Sequence, residues 1–418
     1  CDRRQRQMCI RDRVDAFENG QISLLKEVDD ALLQVENPYD WGMRNDSGAK
    51  AEWDHVFYDG KYYSYYGIAP VVLLYLPYHK LTGHYCSTNL SILLFSLVGL
   101  LFLAMAYLAF VKRWCKNVSA GNIIAGMAIL FSSCGIWYSV GRTLFYEISI
   151  SSGFAFVALG AYFLFSSNVL SEGKVSLVRT ALASLFLGIA VLCRPTLAVY
   201  AVVAVLYFLY AIPKSGNVLV QAEDGTSSLA VRKPRRIAYV LCAALPLLAL
   251  GITQMVYNYA RFGSPFDFGA NYNLTGNDMT QRGFNAVRIG PAVFTSLFEL
   301  PSWQGVFPFL RETDVQTNAV IRTISEKFTG GMLAATPYLW VLALPLLPAF
   351  RRCLHHRRAV AGIVYGGIAA MVVMTVVDCE MAGVLYRYLM DYSPVLLVGA
   401  ALCWFCAEGA LSRRTAVG

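Results

Sequence analysis

The chain is short of charge. Only 15% of its 418 residues are Asp, Glu, Lys or Arg, against 56% hydrophobic and 13% aromatic. Soluble domains carry about a quarter charged residues. Charge this sparse cannot cover a water-soluble protein of this size. It excludes intrinsic disorder, collagen-like repeats and basic tails for nucleic acid, so no nucleic-acid partner is expected. Short catalytic and nucleotide motifs are also missing. There is no Gly-rich phosphate loop, no G-x-G-x-x-G after a strand, no H-E-x-x-H and no G-x-S-x-G. No Cys/His grouping has zinc spacing, so no metal or other cofactor is expected. Most cysteines, among them Cys134, Cys193, Cys242 and Cys403, sit inside apolar runs and read as small hydrophobes. Cys403 and Cys406 form a C-x-x-C, but within such a run it reads as core.

What the chain does have is long apolar runs. About nine are long enough to cross a bilayer. They lie near 87–112, 119–140, 145–167, 178–194, 196–213, 237–259, 331–350, 359–378 and 392–411. The expected fold is an all-α polytopic membrane protein with two long extracytoplasmic loops carrying short interfacial helices. The net charge of +8 is then read by location. Lys112, Arg113 and Lys116 follow the first run, and Lys174 and Arg179 follow the third. Lys214, Arg232, Lys233, Arg235 and Arg236 follow the fifth, Arg351, Arg352, Arg357 and Arg358 the seventh, and Arg413 and Arg414 the ninth. Every alternate connection is basic and is assigned to the cytoplasm. The connections between carry single arginines, Arg142, Arg194 and Arg387, and face the other side.

Residues 14–86 and 260–330 then fall together on the outer face. Spans occupy 87–259 and 331–418. The basic stretch 214–236 reads as a flexible cytoplasmic linker. Residues 67–83 and 290–310 are apolar but short and Pro-broken, which suits the headgroup level. The opening CDRRQRQMCIRDR is Arg-dense and has no apolar region. Residues 1–13 are expected to be a non-native leader outside the fold, with a first transmembrane helix and the acidic motif after it missing.

Polar chemistry gathers on the outer side. Residues 53–67 pack Asp54, Asp59, Lys61, Tyr62 and Tyr63 among further tyrosines. Aromatic faces suit sugar rings, and an adjacent carboxylate can act as general base. The Asp59-Gly60 step also signals a hairpin turn. Asp54 and Asp59 are the expected catalytic acids, with Asp40 behind them. In Gly141-Arg142-Thr143-Leu144-Phe145-Tyr146-Glu147, Arg142 can grip a phosphate and Glu147 can orient it or touch the acceptor. Simple helix pinning by the same pair is the alternative. Arg194, Arg387 and Tyr388 occupy further outer turns, and Asp378, Glu380 and Asp391 lie nearby in sequence. Asp267 in NYARFGSPFDFG is a candidate for substrate hydrogen bonding.

The order of YDGKYYSYYGIAP, GRTLFYE, GIAVLCRPT, NYARFGSPFDFG and RYLMDYSP resembles GT-C membrane glycosyltransferases, the group of protein mannosyltransferases and aminoarabinose transferases. It resembles most their uncharacterised bacterial branch. The resemblance covers nearly all the chain after residue 14. It implies a donor sugar on polyprenyl phosphate, reached from the outer leaflet of a bacterial inner membrane. The acceptor would be a glycan, lipid or protein. It also implies that an acid of the first outer loop serves as base or orients the acceptor, that Arg142 and Glu147 stand where the family places an arginine and a second acid, and that Lys61, Arg194 and Arg387 lie in the region that holds the donor phosphate. The family's Lys-Pro-Pro element is replaced here by Tyr-Gly-Ile-Ala-Pro. A polysaccharide polymerase or ligase is an alternative, disfavoured because 260–330 contains no His. A lipid transporter is another, disfavoured because no polar mid-span residues or repeated halves stand out.

Overall fold

The computed structural model describes residues 3–115, 118–171, 173–221, 227–231, 233–307, 309–311, 313–314, 327–355 and 358–415. Lys116, Arg232 and Arg357, named above, lie outside them. The chain is an all-α membrane protein. Among the described residues, six helices are long and apolar enough to cross a bilayer: Thr88–Trp114, Tyr146–Ser166, Pro195–Ser215, Lys233–Phe262, Ala359–Met381 and Tyr386–Gly409.

In chain order the helices are α1 (Arg3–Glu18), α2 (Asp30–Gln34), α3 (Trp41–Asp46), α4 (Leu76–Thr82), α5 (Thr88–Trp114) and α6 (Ala120–Ser133). Next come α7 (Ile136–Gly141), α8 (Tyr146–Ser166), α9 (Leu177–Cys193), α10 (Ala198–Ser215) and α11 (Lys233–Phe262). Last are α12 (Ile289–Leu297), α13 (Met332–Ala335), α14 (Pro348–His355), α15 (Arg358–Met381) and α16 (Leu389–Thr415). Caps set several starts. Ser87, Ser119 and Ser176 accept from the amides of Leu90, Asn122 and Arg179, three residues on.

Three expected spans differ. The run 119–140 divides into α6 and α7 because Gly135 takes a left-handed conformation, φ +82°. The run 178–194 gives α9, a helix of 17 residues. The run 331–350 is no continuous α-helix. It forms α13, a tighter three-residue-per-turn stretch at Pro337–Leu346, and then α14. Pro337, Pro345 and Pro348 lack the amides that an α-helix would use. The basic stretch expected as a flexible linker carries a two-stranded antiparallel ladder, Asn217–Gln221 against Ser227–Val231.

Packing runs α5 on α8, α8 on α9 and α9 on α11, with α15 and α16 closing the other side. α16 is the most enclosed, burying Leu396, Leu397, Ala400, Leu402, Cys403 and Phe405. The two ends of the bundle differ in chemistry. At one end Arg113 and Arg179 donate to the Ser166 carbonyl, Lys214 to Ser171 and Arg235 to Val175. These cations meet the free carbonyls at and beyond the end of α8, where the helix dipole favours them.

At the other end the two long segments fold onto each other. Val56 pairs with Asn273, the Asp54 amide donates to the Leu274 carbonyl (2.9 Å), and the Leu274 amide donates to the His55 carbonyl (2.9 Å). Arg44 of the first segment donates to the Thr275 carbonyl of the second (2.6 Å). Arg282 caps the end of α15 through the carbonyls of Cys379 and Ala382, and Arg288 pairs with Glu380 at 2.8 Å.

Residues 10–13, set apart in the sequence, belong to this assembly. α1 runs across the expected boundary. Ile10 packs with Val14, Val71, Tyr75 and Ile148. Arg13 is buried and donates to the carbonyls of Tyr66 and Gly67 and to the Tyr257 hydroxyl.

Candidate functional site

The first segment forms the expected hairpin. β1 (Val56–Tyr58) pairs with β2 (Lys61–Tyr63), with Phe57 opposite Tyr62. Asp59 (φ +47°) and Gly60 (φ +65°) make the two-residue turn, both left-handed as a tight hairpin of this twist requires. The turn places Asp59 and Lys61 at the exposed tip. Tyr62 and Tyr63 are buried, Tyr62 with Leu24, Leu32 and Leu274, and Tyr63 with Val56 and Phe262. None of these four lines the cavity described next. Asp40 caps α3, accepting from the Met43 amide at 2.9 Å.

After the hairpin the chain runs across the end of the bundle. Gly67 lets it do so. A Cβ on Gly67 would lie inside the van der Waals contact distance of the Leu192 and Cys193 carbonyl oxygens. The strip Tyr65-Tyr66-Gly67 therefore rests directly on the end of α9, beside Arg194. A cavity with about 680 Å³ of empty space forms there, partly open to the outside. Tyr65, Tyr66, Tyr146 and Tyr388 supply ring walls, and Arg194, Arg387, Thr196, Asp378, Phe268 and Ala270 supply the rest.

Asp54 stands behind the rings. Its φ is +64°, a conformation Asp tolerates better than most residues. Oδ1 accepts from Asn273 Nδ2 at 2.7 Å and from the Tyr65 hydroxyl at 3.4 Å, while Oδ2 accepts from the Tyr146 hydroxyl. The Tyr65 and Tyr66 hydroxyls lie 2.5 Å apart. Burial, and then the nearby Asp54 carboxylate, push both phenols well above their ordinary pKa. They stay protonated and serve as donors.

The cationic side of the cavity is built differently. Arg194 ends α9 and precedes a single tight turn, Pro195–Leu197. Its Nη2 lies 2.8 Å from Asp391 Oδ2 and 3.7 Å from Asp378 Oδ1, and its guanidinium sits 4.7 Å from the Tyr388 ring centre. Burial works against the charge on Arg194; the two carboxylates favour it and prevail, so its pKa is raised. Arg194 Nε and Thr196 Oγ1 are buried and have no hydrogen-bond partner among the described residues. Arg387 lies over the Tyr146 ring, 4.8 Å from its centre, and over Tyr388 at 5.3 Å. Two cations thus share one aromatic enclosure, where water screens them little.

Arg142 and Glu147 come together beside this cavity, not in its wall. Glu147 is fully buried; it accepts from Ser139 at 3.1 Å and lies 3.9 Å from Arg142 Nε. Arg142 donates to the Tyr138 hydroxyl at 2.5 Å. Asp267 accepts from the Gly269 amide at 2.8 Å, which turns the chain so that Phe268 and Ala270 reach the cavity. Of the expected residues the structure gathers Arg194, Arg387 and Tyr388 in the wall and Asp54 behind it. Tyr65, Tyr66 and Tyr146 stand in the quoted motifs but were not singled out. Asn273 carries no signal in the sequence, because its role depends on a contact 219 residues away.

No family model, curated protein or solved structure matches the chain.

Proposed function

We propose that the protein is a membrane glycosyltransferase that moves a sugar from a polyprenyl-phosphate donor to a hydroxyl acceptor at the extracytoplasmic face of a bacterial inner membrane. One observation carries this reading. A single cavity at the polar end of an apolar bundle combines two guanidinium groups, a wall of tyrosine rings and a carboxylate held behind the rings. Guanidinium groups suit a phosphate and the rings suit a pyranose. Arg194 Nε and Thr196 Oγ1, donors without a partner among the described residues, are the kind of groups that an anion would satisfy. The sidedness comes from the positive charge at the opposite end of the bundle.

The chemistry is a single displacement. The acceptor oxygen bonds to the anomeric carbon as the bond from that carbon to the phosphate oxygen breaks, and polyprenyl phosphate leaves with the electron pair. The acceptor proton passes to the Tyr146 hydroxyl while the phenol's own proton moves to Asp54. Arg194 and Arg387 stabilise charge growing on the phosphate. Glu147 and Arg142 hold the start of α8, and with it Tyr146, in place.

The test uses the protein in liposomes with a panel of radiolabelled polyprenyl-phosphate sugars. Release of polyprenyl phosphate that depends on added glycan, lipid or peptide acceptor is the expected result. Failure of every donor to turn over with protein that is folded and monodisperse overturns the reading.

A further inference from the structure

The tyrosine wall of the cavity has a direction. A phenol carries one proton, and a carboxylate only accepts. Asp54 Oδ2 takes the proton of Tyr146, and Oδ1 takes that of Tyr65 at 3.4 Å. With its proton committed to Asp54, Tyr65 can meet the Tyr66 hydroxyl, 2.5 Å away, only as an acceptor. Tyr66 therefore donates to Tyr65. Burial and the Asp54 charge keep both phenols protonated, and donation to Tyr65 holds the Tyr66 proton more firmly still. The protons thus run from Tyr66 through Tyr65 to Asp54. Tyr66 lines the cavity, yet its hydroxyl has no proton left for a ligand and offers only lone pairs.

Tyr66 cannot turn to change this. Its ring centre lies 4.1 Å from that of Tyr65, 4.9 Å from Phe145 at 85° and 5.9 Å from Tyr146. The next residue, Gly67, is pressed on the end of α9. Across the cavity stand Arg194 and Arg387, whose guanidinium groups only donate. One side of the space donates and the Tyr66 side accepts. A phosphate, which presents acceptors, belongs on the first. A hydroxyl, which has a proton to give, belongs on the second. A group that only accepts would set lone pair against lone pair at Tyr66, away from water, and leave both unpaired.

We infer that Tyr66 is a specificity-determining residue: it accepts a hydrogen bond from one free ring hydroxyl of the donor sugar and excludes sugars that carry an ether, an ester or a fluorine there. The inference rests on reading the cavity as a glycosyl-donor site, and adds which sugars that site takes and which way round they lie.

The test is calorimetric binding to the protein in nanodiscs. The probes are glucose, galactose and mannose linked to citronellyl phosphate, each with a set of analogues in which fluorine replaces one hydroxyl at a time. Fluorine keeps the size of the group and removes its proton. For the sugar that binds best, fluorine at one position should weaken binding at least about tenfold, the cost of an unpaired buried acceptor. In Tyr66→Phe, which keeps the ring, that analogue should bind within about twofold of its parent, because the lone pair is gone. Tyr65→Phe tests the direction itself. It takes away the group to which Tyr66 donates, so the Tyr66 proton can turn to the ligand and the fluorine penalty should shrink to about threefold or less. A penalty at no position, or one that persists in either variant, overturns the inference. The readout is binding, not transfer. The expected coupling in a protein that transfers no sugar sinks the proposed function alone; transfer without coupling sinks this inference alone; and no binding of any parent probe sinks both.

Discussion

Arg194 and Asp391 meet at 2.8 Å at the floor of the tyrosine-walled cavity, and Asp378 stands 3.7 Å from the same guanidinium nitrogen. The three residues come from the end of α9, the first turn of α16 and the last turns of α15. Their pairing ties three helices together at the level of the cavity floor.

Removing one partner of a buried ion pair leaves the other charge uncompensated, at about 3–5 kcal/mol. Asp391→Ala should cost the lower end of that range, because Asp378 remains near Arg194. The check is thermal unfolding in detergent, comparing Asp391→Ala with Asp391→Ala combined with Arg194→Met and Asp378→Asn, which leaves no charge of the cluster unpaired. The triple variant should recover most of the loss. Equal melting of the wild type and the single variant would show that the pair holds nothing.

Gly67 carries the strip of tyrosines over α9 at a distance that excludes a Cβ. Gly67→Ala must displace backbone against backbone. Overpacking of this kind costs about 1–3 kcal/mol. The tyrosine wall should shift with it, so transfer falls along with stability. A Gly67→Ala protein with wild-type melting and wild-type activity would contradict the close approach.

The two hairpin acids should part company. Asp54 is held by Tyr65, Tyr146 and Asn273; Asp59 sits at an exposed turn. Asp54→Asn should lower transfer at least about 100-fold, the low end for loss of a general base, with little change in melting. Asp59→Asn keeps the left-handed turn that Asn accepts and should leave transfer within twofold. The reverse order of effects would move the base to the hairpin tip.

Asp278 joins the two long segments that pack on each other at one end of the bundle, accepting from Asn37 at 2.9 Å. Burial, the largest influence, raises its pKa, but donation by the side chains of Thr280 and Asn37 and by backbone amides outweighs it, and the carboxyl is held below its ordinary value of 3.8. A depressed folded pKa contributes stability above the unfolded value, and that stability is lost as pH falls through the folded value. Unfolding of these two segments should therefore ease as pH drops below about 4. Asp278→Asn should remove part of that slope, measured by hydrogen exchange of residues 272–280 across the range. An unchanged slope would show that the carboxylate is not linked to folding.

Much of the bundle was legible because lipid demands long apolar runs, and six of the nine expected spans are helices of spanning length. The other three were not: the breaks at Gly135 and at Pro337, Pro345 and Pro348 do not interrupt hydrophobicity, the property that was read, and α9 stops at 17 residues because Pro195 holds Arg194 in an extended conformation. The hairpin was legible from one Asp-Gly step. The choice between Asp54 and Asp59 was not. Both sit among tyrosines, and what separates them is the pairing of Asp54 with Asn273 and Leu274 of a distant segment. Arg13 was missed for the opposite reason. An Arg-rich stretch reads as solvated, and its burial depends on acceptors at Tyr66, Gly67 and Tyr257 that no local pattern announces.

The most direct measurement is an experimental density map of the protein with polyprenyl phosphate bound. The account predicts the phosphate between Arg194 and Arg387, within hydrogen-bond reach of Thr196 and beside the Tyr65 and Tyr146 rings. A phosphate bound at the basic end near Arg113 and Arg179, or at the hairpin tip by Lys61, would contradict it.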